Sequence, residues 1–66
     1  MLERAGTKER ILDAAEKLFS DAGLAKTSLR AITNEAGVNV AAIHYHFGSK
    51  HGLLHELLAR RVAPLN

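Results

Sequence analysis

The sequence predicts an all-α domain. Three observations carry that reading: apolar residues recur at spacings of three and four, cap residues and glycines punctuate the chain between those stripes, and no alternating run is long enough for a strand. Ile11, Ala15, Leu18, Phe19 and Ala22 fall on one side of a first helix over Thr7–Ala22, with Thr7 capping its start and Gly23 ending it. Thr27 and Ser28 then offer hydroxyls to the open amides of a short second helix through Leu29, Ile32 and Ala36, which Gly37 breaks. Asn39 caps a third helix whose inward stripe is Val40, Ile43 and Phe47. Gly48 and Ser49 close that helix and cap a fourth. It begins near Lys50, turns Leu53, Leu54, Leu57, Leu58 and Arg61 or Val62 to its apolar side, and stops by Pro64.

Composition narrows the function classes. The chain has 66 residues, of which 47% are hydrophobic, yet 11 of those are Ala, so the core must come from 10 Leu, 3 Ile, 3 Val and four larger side chains. A chain this short buries only about 60% of its unfolded surface, which leaves no room for a catalytic domain with a deep pocket. With no Cys, neither a disulfide framework nor a thiolate zinc site is available. No apolar run approaches the ~18 residues of a membrane span, and the opening MLERAGTKER lacks the apolar stretch of a signal peptide. A soluble, cytoplasmic chain is expected.

Charge is unevenly spread. Residues 1–22 hold Glu3, Glu9, Asp13, Glu16 and Asp21 against Arg4, Lys8, Arg10 and Lys17. Residues 23–66 hold Lys26, Arg30, Lys50, Arg60 and Arg61 against only Glu35 and Glu56, and all four His lie within positions 44–55. A mildly basic, donor-rich surface suits an anionic partner such as a phosphate backbone.

Residues 28–47 form a helix of about two and a half turns, a tight turn with Gly37, and a second short helix, which is the arithmetic of a helix-turn-helix. Gly37 spares the corner a Cβ, and Val38 plugs it. At about 100° per residue, Tyr45 points opposite to Val40, Ile43 and Phe47. Ala41 and Ala42 flank it on one side, His46 on the other, and His44 sits at the boundary, where it suits either a bond within the fold or a groove contact. Two methyls, a phenol and an imidazole form a low, uncharged face that suits thymine methyls and phosphate oxygens.

The runs Thr27 to Ile32, Glu35 to Asn39 and Ala42 to Lys50, together with Ile11 to Phe19 and Gly23, resemble the N-terminal DNA-binding domain of the TetR family of transcriptional regulators. The resemblance covers about residues 7–62, and its most specific part is Tyr45-His46-Phe47-Gly48-Ser49-Lys50. It implies a three-helix bundle containing a helix-turn-helix, plus the start of a fourth helix. It implies that the third helix reads the major groove, with Ala41 and Ala42 at base or sugar-phosphate positions, Tyr45 and His46 on phosphates, and Lys50 as a backbone anchor. It places Thr27 and Ser28 at the cap of the second helix near phosphate, and Arg30 where some members read guanine. With Asn39 and His44 these residues complete the candidate DNA-binding set. Members often carry Tyr in place of His44 and a long polar residue in place of Val40, so base contacts look sparse. Many have Glu where this chain has His51 or Gly52, and without it the fourth helix loses a reciprocal cap.

The expected division is a disordered arm over 1–6, a helix-turn-helix domain over 7–49, and a fourth helix over 50–66 leading to a missing C-terminal ligand-binding and dimerisation domain. The resemblance further implies a repressor that binds double-stranded DNA as a homodimer on a palindromic operator and is released by a small-molecule effector. Arg4, Lys8 and Arg10 are candidates for an arm reaching a minor groove. The rival reading is a small helical interaction module that docks through a Leu53 to Leu65 face without nucleic acid. His51 and His55, four apart, could share a metal with His44 and His46, but Gly-Leu-Leu stands between them and Glu56 is the only nearby carboxylate. Neither a metal, a cofactor nor an enzyme activity is expected.

Overall fold

Four side chains without solvent exposure, Ile11, Ile32, Ile43 and Leu53, meet at the centre of the domain, one from each helix. The computed structural model describes residues 6–62, so residues 1–5 of the arm expected over 1–6 and the stretch 63–66, with Pro64 and Leu65, lie outside the described residues. The helices are α1 (Thr7–Ala22), α2 (Leu29–Ala36), α3 (Val40–Phe47) and α4 (Lys50–Val62). Leu12, Ala14, Ala15 and Leu57 complete the buried core, and Leu18, Phe19, Leu29, Ala36, Val38, Ala42 and Phe47 pack around it.

Several local expectations change. The cap of α1 is Gly6, without a side-chain bond, and Thr7 is already helical; the Gly6 carbonyl accepts from the Arg10 amide at 3.0 Å. Ala22 is exposed because α1 outruns the elements that cover it, and the buried stripe is instead Ile11, Leu12, Ala14 and Ala15. Val40 is 40% exposed rather than inward. As the first residue of α3 it leans toward the helix N-terminus, past the end of the rod and away from the core.

The turn and the caps otherwise follow the residues. Ser28 Oγ accepts from the Ala31 amide at 3.0 Å, and Ser49 Oγ accepts from the Gly52 amide at 3.0 Å. Gly37 takes up the left-handed conformation at φ 75°, ψ 34°, with its amide donating to the Thr33 carbonyl. Arg10 reaches from α1 to this corner, donating through Nη2 to the carbonyls of Ala36 at 2.9 Å and Gly37 at 3.4 Å. That guanidinium supplies the positive charge that a helix C-terminus favours.

Ion pairs hold α4 along α1. Arg60 binds Asp13 and lies 3.7 Å from Glu9 and 3.8 Å from Glu16, while Arg61 binds Glu16 at 2.8 Å and Lys8 pairs with Glu56 at 3.5 Å. The Asp13 hydrogen bond, above all, holds the Arg60 guanidinium charged more firmly than usual. Each exposed pair is worth at most about 1 kcal/mol, but the cluster shares acids and acts in concert.

Gly52 also acquires a reason. A Cβ there would stand 2.0 Å from the Phe47 carbonyl oxygen, so the α3–α4 corner closes only over a glycine. Gly52→Ala in a helix interior would ordinarily stabilise by about 1 kcal/mol; here it is expected to lower the thermal midpoint. A rise on melting would contradict this packing.

Candidate nucleic-acid interface

The buried Ile43 fixes the roll of α3 and thereby decides what faces outward. Tyr45 follows two residues on, is 83% exposed, and packs edge-on against the His46 ring at a centroid distance of 4.9 Å. No hydrogen bond among the described residues engages its hydroxyl. Ala41 and His44 are exposed beside it, whereas Ala42 and His46 are half-buried, Ala42 against the core. The outward face is therefore narrower than the sequence suggested, and it centres on Ala41, His44 and Tyr45. His44 Nδ1 lies 3.3 Å from the Gly48 carbonyl. A carbonyl only accepts, so Nδ1 carries the proton in this contact and the ring is oriented by the end of its own helix.

The remaining candidates divide by what they already bind. Ser28 is exposed and its hydroxyl oxygen caps α2. Thr27 leaves the accessible set: it is 3% exposed and its hydroxyl donates to the Gly23 carbonyl at 2.7 Å, with the Leu18 carbonyl at 3.4 Å. This hydroxyl ties the α1–α2 loop to the end of α1. Asn39 begins α3 without a side-chain cap bond; its carbonyl accepts from the Ala42 amide at 3.0 Å, and its exposed amide group stays available. Arg30 is exposed and does not pair with Glu35, which Lys17 holds at 3.2 Å. Lys50 is half-buried and donates through Nζ to the Leu24 carbonyl at 3.0 Å. It thus locks the α1–α2 loop against the start of α4, a role that the sequence did not reveal.

These contacts sort the charge. The carboxylates of Glu9, Asp13, Glu16, Glu35 and Glu56 are each matched by a cation on the α1, α2 and α4 surfaces. Lys26 and Arg30, by contrast, have no ion-pair or hydrogen-bond partner for their side chains among the described residues. Lys8 and Arg10 are used within the fold, Lys8 additionally lying 5.8 Å over the Phe47 ring, and this removes both from a minor-groove arm; Arg4 lies outside the described residues. Among the described residues no three His, Asp or Glu side chains come together as a metal would require. No helix there is long and apolar enough to cross a membrane.

The family model described as bacterial regulatory proteins, tetR family, matches residues 11–57, which include all of α2 and α3 and most of α1 and α4. The chain belongs to the tetR family. It is 41% identical over 56 residues to the probable HTH-type transcriptional regulator YttP of Bacillus subtilis (strain 168), a match that covers 85% of this chain and 27% of the relative. It is 44% identical over 55 residues to the HTH-type transcriptional regulator AcrR of Shigella flexneri, covering 83% of this chain and 26% of that one. Identity to the HTH-type transcriptional repressor BepR of Brucella suis biovar 1 (strain 1330) is 37% over 62 residues, covering 94% of this chain and 30% of the repressor. The tetR-family chain therefore spans roughly a quarter to a third of the length of these three relatives.

Tyr45 and Lys50 of this tetR-family domain should differ in their effect on stability in the absence of any ligand. Tyr45→Phe removes an exposed, unbonded hydroxyl and is expected to leave the urea midpoint unchanged. Lys50→Met removes the bond to the Leu24 carbonyl and is expected to cost about 1 kcal/mol. The reverse ranking in urea unfolding would contradict the assignment.

Proposed function

We propose that this chain is the DNA-reading head of a sequence-specific transcriptional regulator, a repressor, and that it inserts α3 into the major groove of duplex DNA. One observation carries the reading: α3 presents a face of methyl, phenol and imidazole, while the cations Lys26 and Arg30, without a partner among the described residues, lie on the preceding loop and on α2. An eight-residue helix is about 12 Å long, comparable to the width of the major groove. Ala41 would approach bases or sugar, Tyr45, His44, His46 and Ser28 would approach phosphates, and Asn39 and Arg30 would reach base edges or backbone from either side of the turn. Lys50 would add its charge to the backbone contacts while holding the loop. Ala42 supports the face from its half-buried position.

In the full-length regulator, the reading extends to a homodimer on a palindromic operator in the cytoplasm. A small-molecule effector acting on a C-terminal domain would shift the two heads through α4. Every role assigned to this chain is recognition, and none calls for catalysis.

The exposed Leu58, at 55%, beside half-buried Leu54 favours a second contact, with a protein partner along the α1–α4 edge. That face is smaller than the Leu53 to Leu65 stripe suggests, since Leu53 and Leu57 belong to the core and Leu65 lies outside the described residues.

Titration of the 66-residue chain with mixed duplex at low salt should show association that weakens as salt rises. Ala41→Glu places a carboxylate on the exposed face and is expected to weaken binding roughly tenfold or more with helicity unchanged. Absence of association by the unsubstituted chain, or indifference to Ala41→Glu, would overturn the proposal.

A further inference from the structure

Lys26 stands outside the interface residues named from the sequence, yet its surroundings prepare it for an anion. Between Asp21 and Glu35 the chain carries no carboxylate, and Glu35 is occupied by Lys17 at 3.2 Å. Lys26 is exposed, and no ion pair or hydrogen bond among the described residues uses its ammonium.

The turn that carries it is held from three sides. The Leu24 carbonyl accepts from the Thr27 amide at 3.2 Å and from Lys50 Nζ at 3.0 Å, and the Thr27 hydroxyl donates to the Gly23 carbonyl at 2.7 Å. The backbone at position 26 is therefore ordered before any partner arrives, so binding has to restrict only the lysine side chain. The bond from Lys50 to the Leu24 carbonyl brings a second ammonium to the loop that carries Lys26, and residues 22–34 hold no acid of their own. Exposed Ala25 and Ser28 add little bulk that would hold a partner away.

We propose that Lys26 is a phosphate contact that works with Lys50: the Lys26 ammonium, mounted on the locked Leu24–Thr27 turn, and the Lys50 ammonium, reaching that turn from the start of α4, grip the DNA backbone beside the groove that α3 enters. The inference rests on the duplex-binding reading above. It adds a residue that sits before the helix-turn-helix and gives the loop a share of the affinity. Such a contact carries no base information, so its contribution is equal for every duplex sequence.

The test is the salt dependence of duplex affinity for the 66-residue chain, its Lys26→Gln variant and its Lys17→Gln variant, with helicity checked by circular dichroism. Each phosphate contact contributes about 0.9 to the slope of log K against log salt. Lys26→Gln is expected to lower the slope by about that amount and to weaken low-salt binding about threefold to tenfold on any duplex. Lys17→Gln, whose cation is already paired with Glu35, is expected to keep the full slope. Binding by the unsubstituted chain with an unchanged slope in Lys26→Gln would overturn this inference alone, whereas no binding by the unsubstituted chain would overturn the duplex reading and this inference with it.

Discussion

The arrangement depends on the meeting of Ile11, Ile32, Ile43 and Leu53, each wholly removed from solvent and each the deepest large side chain of its helix. Helices of eight residues such as α2 and α3 are too short to persist alone in water, so their order comes from this packing. Ile43 is the one buried residue of α3. With a single inward anchor, the roll of the helix is set by that residue, and Tyr45, about 200° further round, is carried outward. The reading face is thus a consequence of the core.

Charge sorting follows from the same geometry. Once Leu53 and Leu57 seat α4 against α1, the acids of α1 lie beside Arg60 and Arg61, and Lys8 meets Glu56. Glu9, Asp13 and Glu16 of the first helix are thereby matched on one edge, while Asp21 has no partner among the described residues. Lys26 and Arg30 are left without a partner among the described residues, on the stretch of chain that precedes and forms the helix-turn-helix. A modest formal charge of +2 becomes a directional one.

Helix positions were legible because their signals are local. Ser28, Gly37, Gly48 and Ser49 act on amides and carbonyls within a few residues, and the stripes of α1 and α4 repeat often enough to fix a face. The misjudged residues are those whose partners are distant in sequence or missing in space. Arg10 meets Ala36 and Lys50 meets Leu24, each across 26 residues, so both looked like free cations. Thr27 looked like an exposed hydroxyl until the loop folded it onto Gly23. Val40 and Ala22 obey helical spacing but lie exposed at helix ends. Gly52 read as a lost cap because the nearness of the Phe47 carbonyl has no sequence signature.

The central claim is that one surface, built from the outward side of α3 and the loop before α2, meets nucleic acid while the α1–α4 edge does not. Residue-resolved NMR of the chain titrated with duplex DNA tests it most directly. The account predicts that resonances of Lys26, Ser28, Ala41, His44 and Tyr45 shift while those of Lys17, Leu58 and Arg61 hold still. Shifts concentrated on Leu58 and Arg61, with Tyr45 unmoved, would contradict it.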